Sequence, residues 1–203
     1  MWKTFIELLV VSLVYIVIQT PLGAFQWKLD DGFKPVYLLF VVFGLAYGIF
    51  LYGPIGYSVN WVYLKAVRGE KIEIKDMFSV FEKNYWNTVL ANLARTVIVG
   101  IGFVMLIVPG IIFACRLAFV PYLVIDRNME ALEALRTSWA MTRGHGWTIF
   151  VMGLLAIPIV LAGFIMLFFG VILSMIWISA AFAAIYYLVD REYSELPAGV
   201  DQA

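Results

Sequence analysis

Residues Thr88 to Ile125 read TVLANLARTVIVGIGFVMLIVPGIIFACRLAFVPYLVI, 38 positions that carry only two charges, Arg95 and Arg116. Crossing about 30 Å of hydrocarbon takes roughly 20 apolar residues at 1.5 Å rise each, so the run is too long for one span. Pro109-Gly110 divides it, because proline removes a backbone donor and glycine tolerates a sharp reversal. The stretch reads as two membrane helices joined by a tight turn. A re-entrant hairpin, its second limb shortened by Arg116, is the alternative.

The flanking sequence has the same character. The chain of 203 residues is 64% hydrophobic and 14% charged, against about 45–50% apolar and roughly 25% charged in a soluble domain. It has too little polar surface to cover itself in water. Further apolar runs extend from about Trp2 to Thr20, from about Val36 to Tyr57, and from Trp147 to Val189. The first reads as a membrane helix, since Gln19-Thr20-Pro21-Leu22-Gly23 makes a weak cleavage site. The last is again too long for one span and is divided near Phe169-Gly170. The expected fold is all-α: a polytopic transmembrane helical bundle of about six spans in three hairpins (about 1–64, 85–126 and 147–190), one integral membrane domain over 1–203.

Lysine and arginine placement sets the orientation. With six spans, one side holds Lys3, Lys65, Arg68, Lys71, Lys75, Lys83, Arg127, Arg136, Arg143 and Arg191, the other only Lys28 and Lys34. A multi-pass protein of the plasma (inner) membrane with both termini cytoplasmic is expected. The three hairpins also begin alike, on Trp2, Trp86 and Trp147. They end alike too, on Tyr63-Leu64-Lys65, on Tyr122 followed by Asp126-Arg127, and on Tyr187 followed by Asp190-Arg191. This is either an internal repeat or the chance likeness of apolar sequence.

Two loop segments, about 76–83 and 129–142, read as short amphipathic helices at the cytoplasmic interface. In the first, Met77, Phe78, Val80 and Phe81 form one apolar face behind Asp76 as N-cap. In the second, Asn128 is the cap, Leu132, Leu135 and Trp139 share a face, and Gly144-His145-Gly146 ends the helix. They tile the ends of the bundle, or else they sense the membrane or dock a partner.

An ordered series of motifs now stands out: Pro54-Ile-Gly56-Tyr57, Arg68-Gly-Glu-Lys, Asp76-Met-Phe, Phe81, Ile107-Val-Pro-Gly-Ile-Ile112, Arg116, Glu130-Ala-Leu-Glu-Ala-Leu, Ser138, Gly144-His and Phe150. Over roughly Gly53 to Gly153 it resembles the membrane domain associated with glycerophosphoryl diester phosphodiesterases and its stand-alone relatives of unknown function. In fused members the phosphodiesterase chemistry belongs to a separate soluble barrel. The resemblance therefore implies a topology and transfers no active site.

Little else in the chain suggests catalysis. The single histidine, His145, lies between two glycines, and the single cysteine, Cys115, lies in an apolar run. No metal-ligand cluster, nucleophile elbow, phosphate loop or dinucleotide fingerprint is present, so neither an enzyme nor a cofactor is expected. A formal net charge of zero, 14 basic against 14 acidic residues, argues against nucleic acid as a partner.

The informative side chains are polar ones inside the spans. Arg95, Arg116, Glu7 and Asn92 form the candidate intramembrane site. A charge at helix centre costs about 2.5–3.5 kcal/mol on the insertion scale, so each arginine needs a partner, water or a way to the interface. A Glu7–Arg95 pair is expected, while Arg116 has no acidic partner in view and snorkels, meets carbonyls freed near Pro121, or takes a lipid phosphate. Gly44 and Gly48 form a small-xxx-small pair for close helix packing. Two functions follow as expectations: a non-catalytic accessory, assembly or membrane-organising factor, or a small transporter or channel for an anionic solute or lipid. Membrane lipids are the expected partners, with a membrane-protein partner or a homo-oligomer as the further possibility.

Overall fold

The computed structural model describes residues 6–15, 42–44, 46–83, 85–165 and 169–195, and these are helical with no strand. The helices are α1 (Ile6–Tyr15), α2 (Gly53–Arg68), α3 (Ser79–Lys83), α4 (Tyr85–Met105), α5 (Ile107–Arg116), α6 (Val120–Asp126), α7 (Ala131–Met141), α8 (Gly146–Ile165) and α9 (Phe169–Glu195). Among the described residues five helical stretches are long and apolar enough to cross a membrane: Val42–Arg68, Tyr85–Met105, Ile107–Asp126, Gly146–Gly163 and Gly170–Glu195. The described part of the first apolar run, α1, is shorter than a span. The expected loop at Lys28 and Lys34 lies outside the described residues.

The break in the decisive stretch falls at Leu106, three residues before the expected Pro109-Gly110. Leu106 is extended (φ −167°, ψ 155°) and caps α5. Pro109 then sits in the first turn of α5, where its missing N–H costs nothing because first-turn donors have no helical acceptor. Gly102 and Gly110 let α4 and α5 close on each other. A Cβ at Gly102 would strike Phe113 and the Gly110 backbone, and one at Gly110 would strike Phe103. The last long run divides between Ile165 and Phe169, where Gly163 packs on the Gly170 backbone and Ser174. Gly44 and Gly48 differ from expectation, since a Cβ on either meets nothing within 4 Å. They take no part in packing among the described residues.

The two loop helices form, with their faces turned from the expected ones. Met77 and Val80 are buried while Phe78 and Phe81 are exposed. Asp76 is the third residue of a capping box whose N-cap is Glu73, and its carboxylate accepts from the Glu73 N–H at 2.9 Å. In α7 the buried face is Ala131, Ala134, Leu135, Ser138 and Met141, with Leu132 turned outward. A helix buried through such small residues is docked on protein rather than laid on lipid. Asn128 is not its cap; it takes a left-handed turn (φ 54°) ahead of the N-cap Glu130. The start of α7 is held from α4 instead, where Asn87 donates to the Met129 carbonyl at 2.7 Å and accepts from the Ala131 N–H at 2.8 Å. Gly144, at φ 89°, supplies the turn into α8.

The best-packed part of the molecule lies where α2, α6 and α9 end. Val62, Leu64, Phe119, Val120, Leu123, Val124 and Tyr186 are there and essentially inaccessible. Arg68 grips Asp126 through both guanidinium nitrogens at 2.6 and 2.7 Å, and Tyr186 donates to the same carboxylate at 3.1 Å. Arg127 pairs with Asp190 at 2.8 Å. The three similar segments ending at Lys65, Arg127 and Arg191 thus converge in space. At the opposite end the apolar residues Val104 to Val108 are 66–88% exposed, a surface suited to hydrocarbon.

Truncating Arg68 strands the Asp126 carboxylate, which is only 9% accessible. Removing one partner of a fully buried pair costs about 3–5 kcal/mol. With Arg68 itself 21% accessible, we expect Arg68→Ala to cost about 2–3 kcal/mol and Arg68→Lys less, since lysine keeps the charge but not the two-pronged grip. Thermal unfolding in detergent reads the difference, and midpoints equal to wild type would show the grip to be dispensable.

Candidate functional site

Proline 54 has no N–H to donate, and the helix meets this with a wide turn. Gly48–Tyr52 is π-helical, and the Gly53 N–H reaches back to the Gly48 carbonyl. The Phe50 carbonyl, four residues before Pro54, accepts from the Tyr85 hydroxyl of α4 at 2.8 Å. Such wide turns recur where a helix lines a functional site. Just beyond this one, Gly53, Tyr57 and Asn60 succeed each other at intervals of three and four, on one face of α2.

Arg95 stands at position 11 of the 21 residues of α4, the middle of that span. It lines a polar cavity of about 320 Å³ with Asn92 of its own helix, Tyr57, Asn60 and Tyr63 of α2, Ser12 of α1 and Ser179 of α9. Gly53 makes room for the Asn92 amide, which a Cβ at that position would strike. Ser12 donates to the Leu8 carbonyl at 2.9 Å. The Tyr63 hydroxyl, 2.7 Å from the Ser12 oxygen, is then the donor in their bond. The Tyr57 hydroxyl neighbours the Arg95 guanidinium, yet it is buried and makes no hydrogen bond of good geometry among the described residues.

A second, apolar chamber of about 590 Å³ adjoins the first. Ile111, Ala114 and Cys115 of α5, Phe150, Leu154 and Ile157 of α8, and Phe182 of α9 form much of its wall. Leu154 and Ile157 are more than half exposed, so the chamber opens to the outside of the helices. Arg95, Asn60, Pro121 and Ser179 line both spaces. Arg95 is therefore the cation at the seam between a polar and an apolar compartment, each within the range of about 300–1,000 Å³ usual for small-molecule sites.

The expected Glu7–Arg95 ion pair is not formed. Glu7 has no ion pair among the described residues, and neither has Arg95. Ser12 and Tyr15 are the α1 residues that line the cavity, and Glu7 lies five and eight positions earlier, about 7.5 and 12 Å along the helix axis. Asn92 and Arg95 do share the site. Arg116 lies outside it, with its guanidinium over the Trp139 ring at 5.6 Å. Its Nη1 makes no hydrogen bond among the described residues, to carbonyls near Pro121 or elsewhere, and its own carbonyl accepts from Ser138 at 2.8 Å. His145 meets Glu192 at 3.3 Å. Among the described residues no three His, Cys, Asp or Glu side chains gather as a metal site would require.

Sequence reasoning missed Ser12, Tyr57 and Tyr63. The available signal was the polar face of α2 at helical spacing beside Gly53. Compared with models of protein families, with curated proteins and with solved structures, the chain matches none.

The glycine at 53 has a testable consequence. Gly53→Leu drives a side chain into Asn92 and is expected to lower the unfolding midpoint by several degrees, whereas Gly44→Leu, facing open space, leaves it unchanged. Equal effects at the two positions would remove the packing argument.

Proposed function

We propose that this chain is a non-catalytic, multi-pass protein of the plasma (inner) membrane that takes up an anionic amphiphile, a lipid or lipid-like solute, with its charged group at Arg95. The carrying observation is the position of Arg95: mid-span, without a carboxylate partner among the described residues, between the polar cavity and the apolar chamber. A cation at mid-span without a counter-ion is costly in hydrocarbon. A phosphate or carboxylate would supply the missing charge, and its chains would fill the chamber. Tyr57, Asn60 and Asn92 offer further donors to the same group, as buried polar groups require. A binding protein, carrier or channel for such a molecule fits this arrangement. The resemblance to stand-alone phosphodiesterase-associated membrane domains belongs to the same proposal.

The test is lipid binding by the purified chain, read by native mass spectrometry with phosphatidic acid against phosphatidylcholine. Hydrogen bonds to charged groups are worth about 1.5–3 kcal/mol, so Arg95→Gln is expected to weaken the anionic lipid about ten- to a hundredfold and to leave phosphatidylcholine unaffected. If both proteins bind alike, the accessory or assembly role is the better reading. The unpacked Gly44 and Gly48 then mark where a membrane-protein partner or second copy would sit.

Both termini are assigned to the cytoplasm on the excess of lysine and arginine on that side. A C-terminal reporter active only outside the cytoplasm should stay silent, and activity would reverse the assignment.

A further inference from the structure

We propose a second anion site in this chain: Arg116, with the first turn of α8, takes the phosphate headgroup of an anionic membrane lipid at the bilayer boundary. From there the lipid's chains reach the chamber beside Arg95. The headgroup site stands on its own observations, and only the link to the chamber rests on the function proposed above.

The Arg116 side chain has no carboxylate partner among the described residues. Its Nη1 is buried and makes no hydrogen bond among the described residues. The Trp139 ring fixes the guanidinium from one side at 5.6 Å and satisfies none of its N–H donors. Beside it opens a cavity of about 450 Å³, bounded by Arg116, Gly146 and Trp147 and otherwise by apolar side chains, among them Val108, Ile112 and Phe150.

Gly146 begins α8, a helix of 20 residues. The first N–H groups of a helix have no acceptor within it and favour an anion. At Gly146 there is no side chain to cover them, and a Cβ built there meets nothing within 4 Å. The Arg116 guanidinium and an uncovered helix start thus border one cavity, a positive pairing that a phosphate satisfies.

The rest of the cavity decides for a lipid over a free phosphate. Its walls are aliphatic and aromatic, and at its rim Val108 is 66%, Ile112 48% and Trp147 74% exposed. Such a rim suits acyl chains, and an exposed tryptophan suits headgroup depth. Ile111, Cys115 and Phe150 line both this cavity and the chamber that ends at Arg95. A chain entering beside Arg116 therefore passes along Cys115 toward Arg95.

The closing experiment uses the full chain in neutral detergent and counts bound phosphatidic acid by native mass spectrometry, with phosphatidylcholine and inorganic phosphate as parallel probes. Wild type is expected to hold two phosphatidic acid molecules, Arg116→Gln one, Arg95→Gln one, and the double variant none. Arg116→Lys, which keeps the charge, restores the second molecule at reduced affinity and shows that the glutamine variant has not simply misfolded. Two lipids retained by Arg116→Gln would overturn the site while leaving Arg95 to be judged by its own variant. Two retained by Arg95→Gln would remove the earlier reading and leave this one. Inorganic phosphate binding at Arg116 as tightly as the lipid would overturn the lipid assignment.

Cys115, the single cysteine, reports on the passage. Phosphatidic acid is expected to slow its alkylation by a maleimide severalfold in wild type and to lose that effect in Arg116→Gln. Equal protection in both proteins would overturn the entry route.

Discussion

The bidentate grip of Arg68 on Asp126 sets the frame for the rest of the molecule. It joins the end of α2 to the end of α6, and Tyr186 brings α9 to the same carboxylate. Ions this poorly hydrated are stabilised only when geometry and further hydrogen bonds are good, and here both conditions hold. The helices are fastened at one end, among side chains packed to near-zero accessibility, and are bare at the other, where Val104 to Val108 face outward. Between the two ends the helices separate enough to leave the cavities at Arg95. The Tyr122 ring, stacked on Tyr186 at 4.7 Å, lines the chamber together with Arg95. A short run of packed groups thus leads from the fastened end to the site.

The helices are cross-linked where their backbones are interrupted. The wide turn before Pro54 leaves the Phe50 carbonyl, and Tyr85 of α4 donates to it. The break after Arg116 leaves that residue's carbonyl, and Ser138 of α7 donates to it. The start of α7 needs an acceptor for Ala131, and Asn87 of α4 provides one. In hydrocarbon an unsatisfied backbone group costs several kcal/mol, so an interruption is tolerated only where a neighbouring side chain can answer it. Each such answer also fixes the position of one helix against another.

Against this background the two arginines within the spans stand apart. Arg68 and Arg127, at the fastened end, each have a carboxylate. Arg95 and Arg116 have none among the described residues, and each borders a cavity with apolar walls. Structural ion pairs account for the first two. The second two are not accounted for in that way, and on that difference the proposed anion sites rest.

The sequence by itself determined the all-helical class, helices apolar enough to cross a membrane, the division of Thr88–Ile125 and Trp147–Val189, and the place of Arg95 within an apolar run. Each follows from composition and local chemistry: long apolar runs, proline and glycine positions, and the cost of a charge at depth. Tertiary structure alone decided which polar groups meet. It moved the turn to Leu106, because a proline is accommodated in a first turn, and it rotated the loop helices so that alanines and serine, rather than Leu132, face protein. It also left Glu7 away from Arg95 and set Tyr57 and Asn60 there in its place. Pairing across helices depends on relative height and rotation, which are fixed by packing between elements distant in the chain, and no local pattern encodes them.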